Sequence, residues 1–324
     1  MRITDIRETS VPLNSTLANS SIDFSEMTTS VVAVITDVKR DGETVCGFAF
    51  NSTGRYACGG QMRARFIPRI LKANPASLFN EADDNFAPEK ILAVMMRNEK
   101  SGGHSERSIG IGTIEVAMWD AVAKIAGKPL HRLLAERFNG GKVAEKVFCY
   151  VGAGWYAPGK TINHLQDEMR GHLDAGYTML KMKVGGMPLA DDLKRVEAVK
   201  SILPRGGRLD VDANSKFGRD EALAYARGLE PFALRWFEEP CDPLDFALLA
   251  EIAAGLRRAI VDRRETVLDS GRRKSGPLRR TKAAAPRCHS GRSAAGLWYR
   301  AVCPHARCAG AAPMAAQPDV PARR

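Results

Sequence analysis

Apolar residues in the first part of the chain follow a strand pattern and then change to helical spacing. Residues 28–38 (TTSVVAVITDV) and 45–50 (VCGFAF) are rich in β-branched and apolar residues, and Asp41-Gly42 lies between them. This arrangement predicts a β-hairpin. The segment ERSIGIGTIEVAMWDAVAKIAGKPL then places apolar residues three and four positions apart, and Gly127 marks the predicted helix end. Strands followed by helices predict an α+β domain over residues 1–140.

Strand and helix patterns alternate four times between residues 141 and 254. The pairs are VFCYVGAG with INHLQDEMRGHLDAG, TMLKMKVGG with ADDLKRVEAVKSIL, RLDVDAN with RDEALAYARGLEPF, and LRWFEEP with DFALLAEIAAGL. Such a series predicts a parallel sheet, either doubly wound or part of a barrel. No glycine-rich phosphate loop follows the first strand, which disfavours a dinucleotide-binding fold. We therefore predict a partial (β/α)8 TIM-type barrel of about four βα units.

Polar side chains follow the ends of these predicted strands. The second ends in Lys181 and Lys183, which lie on one face because side chains alternate along a strand. The third ends in Asp212 and the fourth in Glu238. The carboxyl ends of parallel strands meet at one edge, where barrel enzymes build their active sites. The plain alternatives are two solvated surface lysines, and carboxylates that cap helices or form a buried salt bridge.

Taken together, these residue types indicate metal-assisted proton abstraction. Two carboxylates suit Mg²⁺, which binds few carboxylates and keeps oxygen ligands from water or substrate. Two lysines side by side repel each other, which favours a neutral amine that can act as a base. A metal beside a lysine base fits removal of a proton next to a carboxylate and stabilisation of the resulting enediolate.

The motifs K-x-K, D-x-N and W-F-E-E-P resemble the mandelate racemase group of the enolase superfamily. The segment GTIEVAMWDAVAKIAGKPLHRLLAER is similar to the N-terminal signature of that group. IDFSEMTTSVVAVITDV, FNSTGRY, MMRNEKSGGHSERS and KMKVGG resemble the D-tartrate dehydratases. The resemblance covers residues 1–254, with residues 1–140 as a capping domain and 141–254 as the barrel part. One departure is Thr53, where an Asn is expected.

The resemblance implies roles for individual residues. Lys183 would remove the proton α to the carboxylate, and Lys181 would support that carboxylate and tune Lys183. Asp212 and Glu238 would bind Mg²⁺, and Asn51 and Lys100 of the capping domain would contact the substrate. The implied partners are a small hydroxy-acid or acid-sugar carboxylate and, for intact family members, further copies of the chain. The implied reaction is dehydration of D-tartrate to oxaloacetate, with a racemase or epimerase as the alternative.

The last 70 residues have a different composition. Residues 255–324 hold 16 of the 48 Lys and Arg and 4 of the 37 Asp and Glu, which leaves 32 and 33 for residues 1–254. The net charge of +11 therefore comes from this tail alone. A basic arm that binds nucleic acid is one interpretation. We favour another, in which the tail is an atypical, non-native segment.

Two motifs that the resemblance requires are missing after Glu238. These are a third metal carboxylate in T-G-E-N and a general-acid His in P-H-G-G. With free codon choice and one nucleotide dropped, the tail can be back-translated to read Ser-Thr-Gly-Glu near residue 264 and Pro-His-Gly near the end. We therefore hypothesise a frameshift near residues 252–260, in the gene or in its sequencing. The 324-residue chain would then be an inactive fragment of low solubility, because four βα units cannot close a barrel.

The cysteines and the apolar runs of the sequence indicate a cytoplasmic protein. Cys46, Cys58, Cys149 and Cys241 have no spacing typical of a metal or disulfide framework, so we predict reduced thiols. No apolar run reaches the length of a membrane span, and the N-terminus has no signal-peptide pattern. We therefore expect a cytoplasmic protein without membrane or nucleic-acid partners.

Overall fold

The chain is described by a computed structural model over residues 1–51, 58–100, 106–255, 259–261 and 267–268. The described residues divide into two units. The first contains residues 1–14 and 26–146, and the second contains residues 15–25 and the described residues from 147 to 268. Residues 15–25, which the sequence analysis included in the capping domain, thus pack with the second unit.

The first unit is built on an antiparallel three-stranded sheet. Its strands are β1 (Ile3–Pro12), β2 (Thr28–Arg40) and β3 (Glu43–Phe50), in the order β1-β2-β3. Asp41 and Gly42, which join β2 to β3, have φ angles of 52° and 84°. These are the left-handed conformations of a tight hairpin turn. The predicted hairpin is confirmed.

Helices cover one face of this sheet. They are α1 (Cys58–Gln61), a π-helical turn (Met62–Phe66), α2 (Ile67–Leu71), a 3-10 turn (Pro75–Leu78), α3 (Pro88–Met95), α4 (Glu106–Ile125) and α5 (Leu130–Phe138). The longest, α4, packs on β2 and β3, and its residues Ile114 and Met118 are fully buried. It ends just before Gly127, which has a φ of 64°. The α+β architecture of this part is confirmed.

The second unit contains the four predicted βα pairs. They are β4 (Val151–Ala153) with α6 (Ile162–Asp174), β5 (Met179–Lys183) with α7 (Leu189–Ser201), β6 (Arg208–Asp212) with α8 (Arg219–Leu229), and β7 (Trp236–Glu238) with α9 (Phe246–Gly255). A 3-10 turn (Glu230–Phe232) precedes β7. The four strands pair in parallel and in sequence order. The predicted series of parallel βα units is therefore confirmed.

The sheet continues beyond residue 254, where the sequence analysis placed no element. Strand β8 (Ala259–Val261) pairs in parallel with β7, and β9 (Val267–Leu268) pairs antiparallel with β8. Over the described residues the sheet is open, with β4 and β9 at its two edges, and no closed barrel forms. The remainder of the predicted tail lies outside the described residues, as does Thr53.

Alternation along the strands separates core residues from site residues. Leu180, Met182, Leu209, Val211 and Phe237 face the helices and form one buried cluster with them. Their neighbours along each strand point to the opposite face of the sheet.

A search of the described residues finds no helix with the length and hydropathy of a membrane span.

Candidate active site

The four predicted site residues of the barrel unit meet at the carboxyl ends of three adjacent strands. Lys181 and Lys183 lie on β5, Asp212 ends β6 and Glu238 ends β7. The strand register places Lys183 beside Asp212, and Asp212 beside Glu238. All four are at most 3% exposed. The interpretation of the lysines as solvated surface residues is therefore wrong.

The side chains form one buried ion cluster. Lys181 Nζ donates to Asp212 Oδ2 at 3.1 Å, and to Glu238 Oε1 and Oε2 at 3.2 and 3.1 Å. Lys183 Nζ donates to the same Asp212 Oδ2 at 2.7 Å. Two ammonium groups and two carboxylates compensate each other, as buried charges require. The predicted repulsion between the lysines is offset by the carboxylates between them.

The electrostatics of Asp212 combine burial with two nearby ammonium groups. Burial alone would raise the pKa of its carboxyl group, because a low-dielectric interior disfavours the charged form. The charges of Lys181 and Lys183 outweigh this effect and hold the pKa of Asp212 below its ordinary value. The backbone N–H of Asn214 also donates to Asp212 Oδ1 at 2.9 Å. Asp212 is therefore a carboxylate that is ready to bind a cation.

Aromatic rings from the β4 region contact both lysines. Lys183 Nζ lies 4.5 Å from the ring centroid of Trp155, and Lys181 Nζ lies 5.8 Å from that of Tyr150. Both distances are within cation–π range. Phe24 packs edge-on against Trp155, with 5.3 Å between ring centroids. The sequence analysis did not identify these rings, although Trp155 follows the end of β4 by two positions.

A second buried cluster fixes the backbone that carries Lys183. Asp192 is fully buried and accepts hydrogen bonds from Arg195 (2.7 Å), Tyr156 (2.8 Å), Tyr225 (3.0 Å) and the Gly185 N–H (2.6 Å). Arg195 also donates to the carbonyl oxygen of Lys183 at 3.0 Å. The carboxylate thereby joins α7, α8 and the loops after β4 and β5. This cluster holds the end of β5 in place.

Asp210 is a further buried carboxyl group, one layer below Asp212 on the same face of β6. Its Oδ1 accepts the backbone N–H groups of Arg235 and Trp236, both at 2.8 Å. Its Oδ2 has no hydrogen-bond partner among the described residues. Burial raises the pKa of Asp210 to about 7, against the lowering effect of those two N–H groups. The sequence analysis did not identify Asp210.

The backbone after Asp212 and Glu238 adopts an uncommon conformation. Asn214, Ser215 and Glu239 have φ angles of 49°, 60° and 44°, which non-glycine residues rarely adopt. The Ser215 N–H donates to the Glu239 carbonyl oxygen at 2.8 Å, so the two strand ends brace each other. Strained backbone held by its surroundings is typical of functional sites.

The two predicted substrate contacts of the capping domain lie in the first unit. Asn51 follows β3 and is 5% exposed, and its Oδ1 accepts the Ser30 N–H at 2.6 Å. Its Nδ2 has no partner among the described residues, so this amide keeps two free donors. Lys100 is exposed, and its carbonyl oxygen accepts a hydrogen bond from Arg107. Their contact with a substrate remains a prediction.

The chain is similar to known proteins along part of its length. Residues 164–264 match the family described as enolase C-terminal domain-like. Over this segment the chain is similar to the C-terminal domain of the enolase superfamily. The chain is 31% identical over 230 residues to L-talarate/galactarate dehydratase of Salmonella typhimurium, which covers 70% of this chain and 54% of that enzyme. It is 34% identical over 145 residues to arabinonate dehydratase of Saccharolobus solfataricus, covering 44% and 37% of the two chains.

Solved structures of similar enzymes share the fold. A racemase from Streptomyces coelicolor A3(2) with bound magnesium is 25% identical, with a TM-score of 0.61, over 80% of this chain and 68% of that one. An L-talarate/galactarate dehydratase mutant liganded with Mg and L-glucarate is also 25% identical, with a TM-score of 0.61. The two dehydratases of the preceding paragraph are matched over 54% and 37% of their own lengths, so the chain spans about half, or less, of those curated relatives.

Proposed function

We propose that this chain carries the proton-abstraction site of a Mg²⁺-dependent acid-sugar dehydratase, a hydro-lyase. The observation that carries the proposal is the buried cluster of Lys181, Lys183, Asp212 and Glu238 at three adjacent strand ends. The two curated relatives are dehydratases of polyhydroxy acids, which supports the same substrate class here.

The carboxylate pair fits a divalent cation. Asp212 and Glu238 both reach one cationic atom, Nζ of Lys181, at 3.1 Å. Mg²⁺ is commonly bound by one or two carboxylates, with water and substrate oxygens as its other ligands. Asp212 and Glu238 would hold the ion, which would stabilise the negative charge that develops on the substrate carboxylate. Magnesium in two of the similar structures supports this assignment.

Lys183 is the proposed base. In its neutral form its Nζ accepts the proton α to the substrate carboxylate, while the C–H electrons form the enediolate. Asp212 and the Trp155 ring fix the position of this nitrogen. Lys181 supplies a positive charge to the substrate carboxylate. The general-acid His that the resemblance requires would protonate the β-hydroxyl, which leaves as water and gives an enol that converts to the 2-keto acid.

D-Tartrate is the leading substrate within this class. The support is the resemblance of FNSTGRY, MMRNEKSGGHSERS and KMKVGG to the D-tartrate dehydratases. The product would be oxaloacetate. A racemase or epimerase is the second candidate, and it is favoured by the magnesium-bound racemase among the similar structures. That reaction returns a proton to the opposite face of the α-carbon instead of expelling water.

We further propose that the chain as printed has no turnover. Its sequence lacks the T-G-E-N and P-H-G-G motifs after Glu238. Among the described residues, no group of three or more His, Cys, Asp or Glu side chains is placed to hold a metal ion, so the third carboxylate that the resemblance requires is not found there. A one-nucleotide frameshift near codons 252–260 accounts for both observations and for the basic tail. Sequencing of the coding DNA across codons 245–270 tests this explanation directly.

The experiment for the function is a substrate screen on the printed chain and on a frame-corrected chain. D-Tartrate, galactarate, L-talarate and arabinonate are incubated with Mg²⁺, and 2-keto acid is detected with semicarbazide. We expect product from D-tartrate with the corrected chain, and none after Lys183→Met. Lys194→Met, a change on the exposed face of α7, is the matched control and should retain activity. Exchange of the α-proton with solvent deuterium without 2-keto acid would favour the racemase instead.

A further inference from the structure

Lys181 contacts both proposed metal ligands. We propose that Lys181 is a built-in counter-cation of the Asp212–Glu238 pair, and that a divalent cation binds by displacing its ammonium group. The inference rests on the proposed function, because it takes this carboxylate pair to be the metal site. It adds a role for Lys181 in the metal-free protein and a control on cation affinity.

The contacts of Lys181 place its ammonium group between the two strand ends. Its Nζ lies 3.1 to 3.2 Å from three carboxylate oxygens, one of Asp212 and both of Glu238. A cation that bridged the two carboxylates would need the same oxygens. Lys183 Nζ donates to Asp212 Oδ2. Lys181 bridges the two strand ends, because its Nζ contacts the carboxylates of both.

Electrostatics makes the ammonium group and a metal ion mutually exclusive there. The carboxylates of Asp212 and Glu238 are 0% and 2% exposed on their side chains, so they need a positive partner inside the protein. A divalent cation beside Lys181 and Lys183 would bring four positive charges onto two carboxylates. In a buried site such repulsion is strong at short distance. Entry of the metal therefore requires the ammonium group to move away.

Tyr150 offers a second position for the ammonium group. Its ring centroid is 5.8 Å from Lys181 Nζ, and the ring is held edge-on against Trp236 at 5.4 Å between centroids. Tyr150 is 38% exposed, so a cation over its ring also reaches solvent. The lysine stem has four rotatable carbons, which allows this shift without backbone movement. The Tyr150 ring therefore lies beside the carboxylate-bound ammonium group, on the side to which that group would shift when a metal ion enters.

The first test compares Mn²⁺ binding, by electron paramagnetic resonance titration, in the full chain and its variants. Lys181→Met keeps the stem but removes the charge, and we expect it to bind Mn²⁺ about tenfold to a hundredfold more tightly. Lys194→Met, whose ammonium group pairs with Asp191 on the surface, should bind like the unmodified chain. Equal or weaker Mn²⁺ binding by Lys181→Met than by the unmodified chain overturns the inference.

Two further variants separate displacement from simple repulsion. Tyr150→Phe keeps the ring face and should leave Mn²⁺ affinity unchanged, whereas Tyr150→Leu removes it and should weaken binding about threefold or more. Equal affinities for these two variants would remove Tyr150 from the account, and Lys181 would have no second position.

The last measurement is thermal unfolding of Lys181→Met, with EDTA and with Mn²⁺. Without metal, two buried carboxylates share one ammonium group, so the variant should unfold at a lower temperature than the unmodified chain. Saturating Mn²⁺ should restore the loss. An unchanged unfolding temperature in EDTA would contradict the counter-cation role. Absence of Mn²⁺ binding in every variant would instead contradict the metal site of the proposed function, and the displacement with it.

Discussion

The buried Asp192–Arg195 pair allows a sharp test of how the site is supported. Replacement of Arg195 by Met leaves the fully buried carboxylate of Asp192 with neutral donors only. Removing one partner of a buried ion pair costs about 3–5 kcal/mol, because the remaining charge is uncompensated. Arg195 also donates to the carbonyl oxygens of Lys183 and Gly154, which lose a partner as well. We expect a loss in the upper part of that range.

The same helix provides a matched control. Lys194 and Asp191 are spaced like Arg195 and Asp192, three residues apart, but their side chains are 65% and 50% exposed. Exposed pairs of this kind contribute about 0–1 kcal/mol. Urea unfolding of Arg195→Met and Lys194→Met should therefore give losses that differ by about 3 kcal/mol or more. Equal losses in the two variants would refute the argument from burial.

A second substitution tests the stated cause. Adding Asp192→Asn to Arg195→Met removes the uncompensated charge and should recover part of the lost free energy of unfolding. If the double variant instead has a lower free energy of unfolding than Arg195→Met, the uncompensated charge is not the cause. The destabilisation by Arg195→Met then comes from lost packing.

Two other predictions concern Asp210 and Gly47. The unfolded chain releases the Asp210 proton near the ordinary pKa of 3.8, whereas the folded chain keeps it to about pH 7. The free energy of unfolding should therefore fall as the pH rises between these values, by up to about 4 kcal/mol. Asp210→Asn should remove this contribution, which urea unfolding at pH 4 and pH 8 measures. If the free energy of unfolding of the variant still falls as much as that of the unmodified chain, the prediction is wrong. A Cβ on Gly47 would collide with the α4 backbone, including Ala121 N at 2.6 Å, so Gly47→Ala should cost about 1–3 kcal/mol. Gly112→Ala, in open space on α4, should stabilise the protein by about 0.5–1 kcal/mol, and similar results for both glycines would count against the packing argument.

The strand-end residues of the site were predictable because they depend on local rules. Alternation along a strand places Lys181 and Lys183 on one face, and parallel register brings neighbouring strand ends together. The structure confirms that these lysines meet Asp212 and Glu238. The hairpin and the four βα units follow from equally local patterns of turn residues and apolar spacing.

The supporting residues were not predictable in the same way. In the sequence, Asp192 and Arg195 belong to an ordinary charged helix, and their burial depends on Tyr156 and Tyr225 from distant segments. In the sequence, Asp210 and Asp212 are two similar acidic residues on β6. In the structure, burial raises the pKa of Asp210 to about 7, whereas the surroundings of Asp212 lower the pKa of Asp212. Such differences arise from tertiary contacts, which spacing along the chain does not encode.

The most direct test of the proposed function is oxaloacetate formation from D-tartrate with Mg²⁺, measured on the printed chain and on a chain with the reading frame corrected near codon 255. We predict no product from the printed chain. The corrected chain should form product that requires both Mg²⁺ and Lys183. Turnover by the printed chain would contradict its proposed inactivity. A corrected chain that folds and binds Mn²⁺, but dehydrates none of D-tartrate, galactarate, L-talarate and arabinonate, would contradict the dehydratase assignment itself.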